Sequence, residues 1–268
     1  MDLELNGKRA LVTGSSAGIG EAIALRLAGE GARVVVHGRN RERAEAVAQK
    51  IKAAGGEAAV AIGDLATDDE ASDVIGQALG AFGGLDIVVN NAGGYGPSDW
   101  SNPSTQRWAD VYNQNVLSMV RVIAGTLEHV KKQGWGRFIQ LGSGVGAAPF
   151  AGMSDYSATK AANANLTVSL AKELTGSGVT VNTVSPGPIR TPGLESFFAE
   201  LATSLGHEGP FEKIEKPVVD AMFPQLAVRR AGRPEEIADA VAFLASPRAD
   251  YITGANLRVD GGFVTSVN

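Results

Sequence analysis

The chain has 268 residues, 44% hydrophobic and 20% charged, with a formal net charge of −5. That composition supports a substantial core rather than disorder, and its acidic balance disfavours a nucleic-acid footprint, which needs clustered Lys and Arg. With no cysteine, disulfides, thiol nucleophiles and cysteine-ligated zinc are excluded, and His37, His129 and His207 lie too far apart in the chain to suggest a metal site.

Strand-like RALVT at 9–13 begins too early for a charged-then-apolar leader, and no apolar stretch reaches membrane-spanning length. The expectation is a cytoplasmic protein without membrane contact. RALVT is followed by an amphipathic segment at 18–29, RVVVH at 33–37 by one at 40–54, and AAVAI at 58–62 by one at 68–82. Strands continue at 85–90, 136–143, 178–185 and 255–260, with helices expected at 104–133 and 154–176. Repeated βα alternation implies a parallel sheet with helices on both faces. The predicted architecture is one doubly wound α/β domain of Rossmann type over 1–268, with about seven strands. The one irregular region, 188–230, is rich in Pro, Gly and aromatics and is too long for an ordinary connection, so it reads as a substrate lid.

TGSSAGIG at 13–20 joins the first strand to the first helix. Gly14 suits a tight turn, and Gly18 and Gly20 let backbone N–H groups approach an anion at the helix start. Such a turn serves chain reversal equally well when read alone. At the end of the second strand, where a carboxylate would meet a ribose 2′-hydroxyl, the sequence has Gly38 and Arg39. A guanidinium there favours a 2′-phosphate, hence NADP(H) over NAD(H), the alternative being a solvated charge at a helix start.

YSATK at 156–160 sets Tyr156 and Lys160 four residues apart, on one face of a helix. Alone, the pair also fits a solvated face. Its context does not: TGSSAGIG, NNAG at 90–93, Asn115, Ser143, YSATK, PGPIRTP at 186–192 and VDGG at 259–262 occur in an order that resembles the short-chain dehydrogenase/reductase family over nearly the whole chain.

The resemblance implies a catalytic tetrad of Asn115, Ser143, Tyr156 and Lys160. Ser143 would meet the carbonyl oxygen as negative charge develops on it, and Tyr156 would protonate it. A free tyrosine titrates near ~10, so acid–base work near neutrality needs a shift of roughly 3 units, about 4 kcal/mol. Lys160, together with a positive nicotinamide ring, is expected to supply it by favouring the phenolate. Lys160 would also hold the nicotinamide ribose, and the Asn115 backbone carbonyl would link Lys160 to solvent through a water. Read without the family, Asn115 is a helix-surface amide or a local cap and Ser143 a turn serine.

The implied cofactor contacts are Gly14, Ser15, Ser16, Gly18, Ile19 and Gly20 in the turn, with Arg39 at the second strand. Asp64 and Leu65 would lie beside adenine, Asn90, Ala92 and Gly93 along the ribose wall with Tyr156 and Lys160, and Pro186, Gly187, Ile189 and Thr191 at the carboxamide. Asp64 reads equally as the cap of the following helix, and Asn90 as a brace between strands. Many NADP-preferring relatives carry a basic residue where this chain has Ala17, so Arg39 stands alone. Gly142 and Gly144, flanking Ser143, are expected to widen a pocket formed by 94–97, Val145, 150–153, Leu194, Phe197 and Phe198.

The expected activity is therefore NADP(H)-dependent hydride transfer between nicotinamide and a carbonyl or secondary alcohol of a small hydrophobic substrate. A 3-oxoacyl-[acyl-carrier-protein] reductase is the near alternative, although the 188–230 segment looks long for one. A non-catalytic dinucleotide-binding sensor or scaffold is the alternative of another class. The resemblance also implies a homodimer or homotetramer, assembled through the helices at 104–133 and 154–176 and the last strand.

Overall fold

Short apolar runs, buried on both faces in the central strands and partly exposed at the edges, form β1 (Arg9–Val12), β2 (Arg33–Gly38), β3 (Glu57–Ile62), β4 (Ile87–Asn90), β5 (Gly136–Leu141), β6 (Val179–Pro186) and β7 (Asn256–Val259). The structure is a computed structural model that describes residues 1–266; Val267 and Asn268, the end of the expected 1–268 domain, lie outside the described residues. All strands pair in parallel, in the order β3-β2-β1-β4-β5-β6-β7. The chain starts at the centre, runs to one edge and returns beside β1, so the crevice for a ligand opens at the carboxyl ends of β1 and β4.

Alternate residues of each strand feed two cores. Ala10, Val12, Val34 and Val36 pack under helices α1 (Gly18–Gly29), α2 (Arg41–Ala53) and α9 (Pro234–Ala245). Leu11, Val35, Val88 and Phe138 pack under α3 (Asp68–Ala81), α5 (Ser118–Lys132) and α6 (Ser154–Glu173). Among the described residues, no helix is long and apolar enough to cross a membrane, and no group of three or more His, Asp or Glu is placed to hold a metal.

Two expected elements differ in detail. The helix expected at 104–133 is α4 (Thr105–Tyr112), a π turn (Asn113–Leu117) and α5, and the wider turn falls on Asn115. The segment expected to be irregular, 188–230, contains two helices, α7 (Pro192–Ser204) and α8 (Phe211–Met222). Its scattered aromatics have a common purpose: Phe198, Phe211 and Phe223 form a third core with Phe263 from the chain's end.

Candidate functional site

The glycine turn after β1 is held from three sides. Gly14 adopts φ +62°, and a Cβ there would come within 2.9 Å of Ala92 Cα; one on Gly20 would lie 2.4 Å from both Asn91 Nδ2 and Gly14 O. The Asn91 amide donates to the carbonyls of Thr13 and Gly14, and Thr13 Oγ1 accepts the N–H groups of Asn91 and Ala92. His37 is buried; its Nδ1 accepts the Gly14 N–H at 3.0 Å while Nε2 lies 3.2 Å from Gly63 O. Burial holds this imidazole below its ordinary pKa, so it stays neutral and can accept at one nitrogen and donate at the other. Sequence reasoning missed both Asn91 and His37. Their only signal was position, beside NNAG and at the end of β2.

The start of α1 is built to receive an anion. Asn40, Thr67, Ser104 and Thr191 cap their helices with side-chain oxygens, whereas Ala17 leaves α1 without a side-chain cap. Its first N–H groups therefore face the crevice uncapped, with the positive end of the helix dipole behind them. Thr67, not Asp64, caps α3, so the capping alternative for Asp64 falls. Arg39 is exposed and lies 3.4 Å from Asp64 Oδ2. Ser16 Oγ sits against Gly38, where a Cβ would come within 2.7 Å. A hydroxyl and a guanidinium thus flank the end of β2.

Asn115 is buried in the π turn and its amide is fully committed. Oδ1 accepts the Gly94 N–H at 2.8 Å, Nδ2 donates to Gly94 O at 2.9 Å, and the backbone carbonyl accepts from Asn163 Nδ2 at 3.2 Å. A Cβ on Gly93 would reach 2.5 Å from Asn115 Oδ1, so the loop after β4 lies directly on this side chain.

Ser143 follows β5, its Oγ accepting the Val145 N–H at 3.4 Å, and it lines the same cleft as Tyr156, which sits in the first turn of α6. One turn on, the buried Lys160 Nζ lies 5.5 Å from the Tyr156 ring centroid and donates to Leu141 O at 2.7 Å. The 3-10 turn after Ser143 presses on α6, with the Gly146 Cβ position 2.9 Å from the Lys160 carbonyl carbon. Ser143, Tyr156 and Lys160 thus converge, while Asn115 fixes the loop opposite them.

The lowered phenol is expected from Lys160 together with a positive nicotinamide ring; the protein groups by themselves shift it the other way. Burial pushes the Tyr156 phenol up to about 12, against the lowering from Ser143, and burial pushes Lys160 down to about 8. Each charged form loses water, and the ammonium is directed at Leu141 O. A lowered phenol is therefore not a property of these two side chains alone.

These groups floor a cleft of about 730 Å³. Of the expected contacts, Gly14, Ile19, Gly20 and Gly93 line it on one side, and Tyr156, Lys160, Pro186, Gly187, Ile189 and Thr191 on the other. Gly18 faces the Thr191 methyl across the opening, and Ala92 lies behind Gly14. Ser15, Leu65 and Asn90 are buried away from it. The Ser15 hydroxyl is taken by Val12 O and the His37 N–H, so it shapes the turn. Tyr95, Val145, Phe150, Met153, Leu194 and Phe197 wall the outer half; Phe198 instead sits in the lid core. Gly142 and Gly144 do not widen the cavity, because Cβ atoms there would strike Ser185 Oγ at 2.5 Å and Phe263 at 2.8 Å. They admit close packing.

The short chain dehydrogenase family profile matches residues 8–202. The chain belongs to the short-chain dehydrogenase/reductase family. It is 38% identical to the uncharacterized oxidoreductase YvaG of Bacillus subtilis, with 100% of each chain covered. It is also 38% identical to the 3-oxoacyl-[acyl-carrier-protein] reductase FabG of Staphylococcus aureus, over 95% of this chain and 97% of that one. Among solved structures, L-sorbose reductase from Gluconobacter frateurii, complexed with NADPH and L-sorbose, superposes with a TM-score of 0.93 at 32% identity, with 100% of both chains covered. This short-chain dehydrogenase/reductase is an enzyme, an oxidoreductase with the parallel sheet expected of the family.

Proposed function

We propose that this enzyme transfers hydride between NADP(H) and a carbonyl or secondary alcohol of a small hydrophobic substrate, with Asn115, Ser143, Tyr156 and Lys160 as its catalytic groups. The observation that carries the reading is Ser143, Tyr156 and buried Lys160 lining one cleft, with the Lys160 Nζ 5.5 Å from the Tyr156 ring centroid. The glycine turn and uncapped α1 fit a dinucleotide's phosphates, and Arg39 with Ser16 fits a 2′-phosphate. The NADPH complex of the sorbose reductase supports the same cofactor. When bound, the nicotinamide supplies or accepts the hydride.

The residues divide the remaining work. Ser143 donates to the substrate oxygen as charge develops on it, and Tyr156 gives that oxygen its proton, leaving a phenolate to be reprotonated. A phenol near 12 is protonated throughout the neutral range and is still a stronger acid than the alcohol it forms. Reduction is thus served by the protein groups themselves. Oxidation needs the phenolate, which the protein alone disfavours and which the positive ring of a bound oxidised cofactor would favour. Asn115 fixes Gly93 and Gly94 beside the reacting face. Tyr156→Phe is expected to abolish turnover while leaving NADPH binding unchanged by fluorescence titration; retained turnover refutes the assignment.

Similarity to FabG favours a second reading, reduction of a 3-oxoacyl thioester on acyl carrier protein. Acetoacetyl thioesters assayed beside free ketones and sugars separate the two. We also infer a cytoplasmic homodimer or homotetramer. Tyr112, Leu117 and Val120 on α4 to α5, Val168 on α6 and Leu257 on β7 expose apolar surface on the elements that would pair.

A further inference from the structure

The substrate half of the cleft is walled by the loop after β4, residues 94–98, and floored by the first turn of α6, and one ion pair joins these two pieces. Arg107 on α4 donates from Nε to Asp155 Oδ2 at 2.8 Å and from Nη2 to Gly96 O at 3.0 Å. The second oxygen of Asp155 accepts the Tyr156 N–H at 2.7 Å. Ser98 adds a smaller stitch, its N–H to Gly152 O at 2.8 Å and its hydroxyl 3.1 Å from that of Ser154. Tyr95, inside the stitched loop, lies with its ring 5.6 Å from the Tyr156 ring.

An aspartate in a first helical turn commonly serves the helix dipole, and an exposed one would do so without a partner. Asp155 is 1% exposed. A carboxylate that deeply buried requires pairing and full hydrogen bonding, which Arg107 and the Tyr156 N–H provide. Arg107 has a fork to share, and its second arm goes to the cleft loop instead of to α6. Neither Arg107 nor Asp155 lines the cleft, so any effect on substrate passes through the residues they hold.

We propose that Arg107 and Asp155 are positioning residues, which set the substrate-binding wall by fixing the 94–98 loop, and Tyr95 with it, against Tyr156. The proposal rests on the reading of Tyr156 as proton donor and deepens it. A guanidinium fork is needed because a lysine ammonium offers a point charge that reaches the carboxylate without also holding Gly96 O. The buried charge must also balance, since removing Arg107 alone leaves Asp155 unpaired.

The test compares Arg107→Met, Arg107→Lys and the double variant Arg107→Met/Asp155→Asn by hydrogen–deuterium exchange over 93–104, NADPH binding, and steady-state reduction of a ketone panel. In Arg107→Met, exchange at 94–98 is expected to rise and the carbonyl KM to increase roughly tenfold, with NADPH affinity unchanged. Arg107→Lys should fall between it and the wild type. The double variant should recover thermal stability relative to Arg107→Met, because no charge is left unpaired, but not the carbonyl KM. Unchanged exchange at 94–98 in both single variants overturns the proposal, as does raised exchange with a wild-type KM, or a double variant no more stable than Arg107→Met. A wild-type enzyme that binds NADPH but reduces nothing refutes the functional reading instead, and the exchange data still report whether the tie exists.

Discussion

Replacing Lys160 by methionine should make the protein more stable while it destroys turnover. The Lys160 ammonium titrates at about 8 instead of its ordinary 10.5, because burial removes its water. A difference of about 2.5 units means that holding the charge in the folded state at pH 7 costs roughly 3 kcal/mol. The bond to Leu141 O, worth about 1.5 kcal/mol, is lost with the amine and offsets part of the gain. The net expectation is a stabilisation of roughly 1–2 kcal/mol at pH 7, or a rise of about 2–6 °C in Tm for a chain of this size. The pH dependence has a definite sign. Between pH 8 and 10.5 the unfolded chain keeps the lysine proton and the native state does not, so wild-type stability rises with pH across that window. The Lys160→Met variant has no such proton, so its advantage should shrink by roughly 2 kcal/mol between pH 7 and 9.5. Urea denaturation of both proteins at the two pH values measures the gap. A variant less stable than wild type at pH 7, or a gap that does not change with pH, refutes the argument that burial of a charged Lys160 is costly.

Other expectations follow from the same site. NADPH-driven reduction should hold steady from pH 6 to about 8 and decline above it, as Lys160 loses its proton while Tyr156 keeps its own; a rate that climbs through pH 9 contradicts the need for the ammonium. Arg39→Asp should raise the KM for NADPH at least tenfold and lower that for NADH, because a carboxylate repels a 2′-phosphate and accepts from a 2′-hydroxyl; unchanged constants would remove Arg39 from the cofactor site. Light scattering should find a dimer or tetramer at micromolar concentration, and a monomer contradicts the inferred pairing of α4 to α6.

The sheet was legible because short apolar runs such as RVVVH at β2 and IVVN at β4 alternate with longer helical segments, and that alternation survives in the observed elements from β1 to β7. Long-range order was legible through motifs: YSATK is meaningful because Ser143 arrives from another strand to meet its tyrosine. Less was legible where tertiary contacts decide. Residues 188–230 read as irregular because Pro210, Pro217, Gly206 and Gly209 interrupt the helical pattern, yet the phenylalanines on α7 and α8 bury one another and fold the segment into helices. Helix α9 was not among the expected elements, although Pro234, Glu235 and Glu236 form a readable helix start.

The contribution of burial to the tyrosine shift was not legible for a related reason. A spacing of four residues fixes which groups are neighbours but carries no information about burial, and burial is the largest cause of the rise at Tyr156. The Lys160 Nζ lies 5.5 Å from the Tyr156 ring centroid and donates to Leu141 O, and burial strips water from both groups. The same desolvation that raises the phenol keeps it protonated near neutral pH, as the proposed reduction requires. A positively charged nicotinamide ring held beside Tyr156 would add the charge that favours the phenolate, which the proposed oxidation requires.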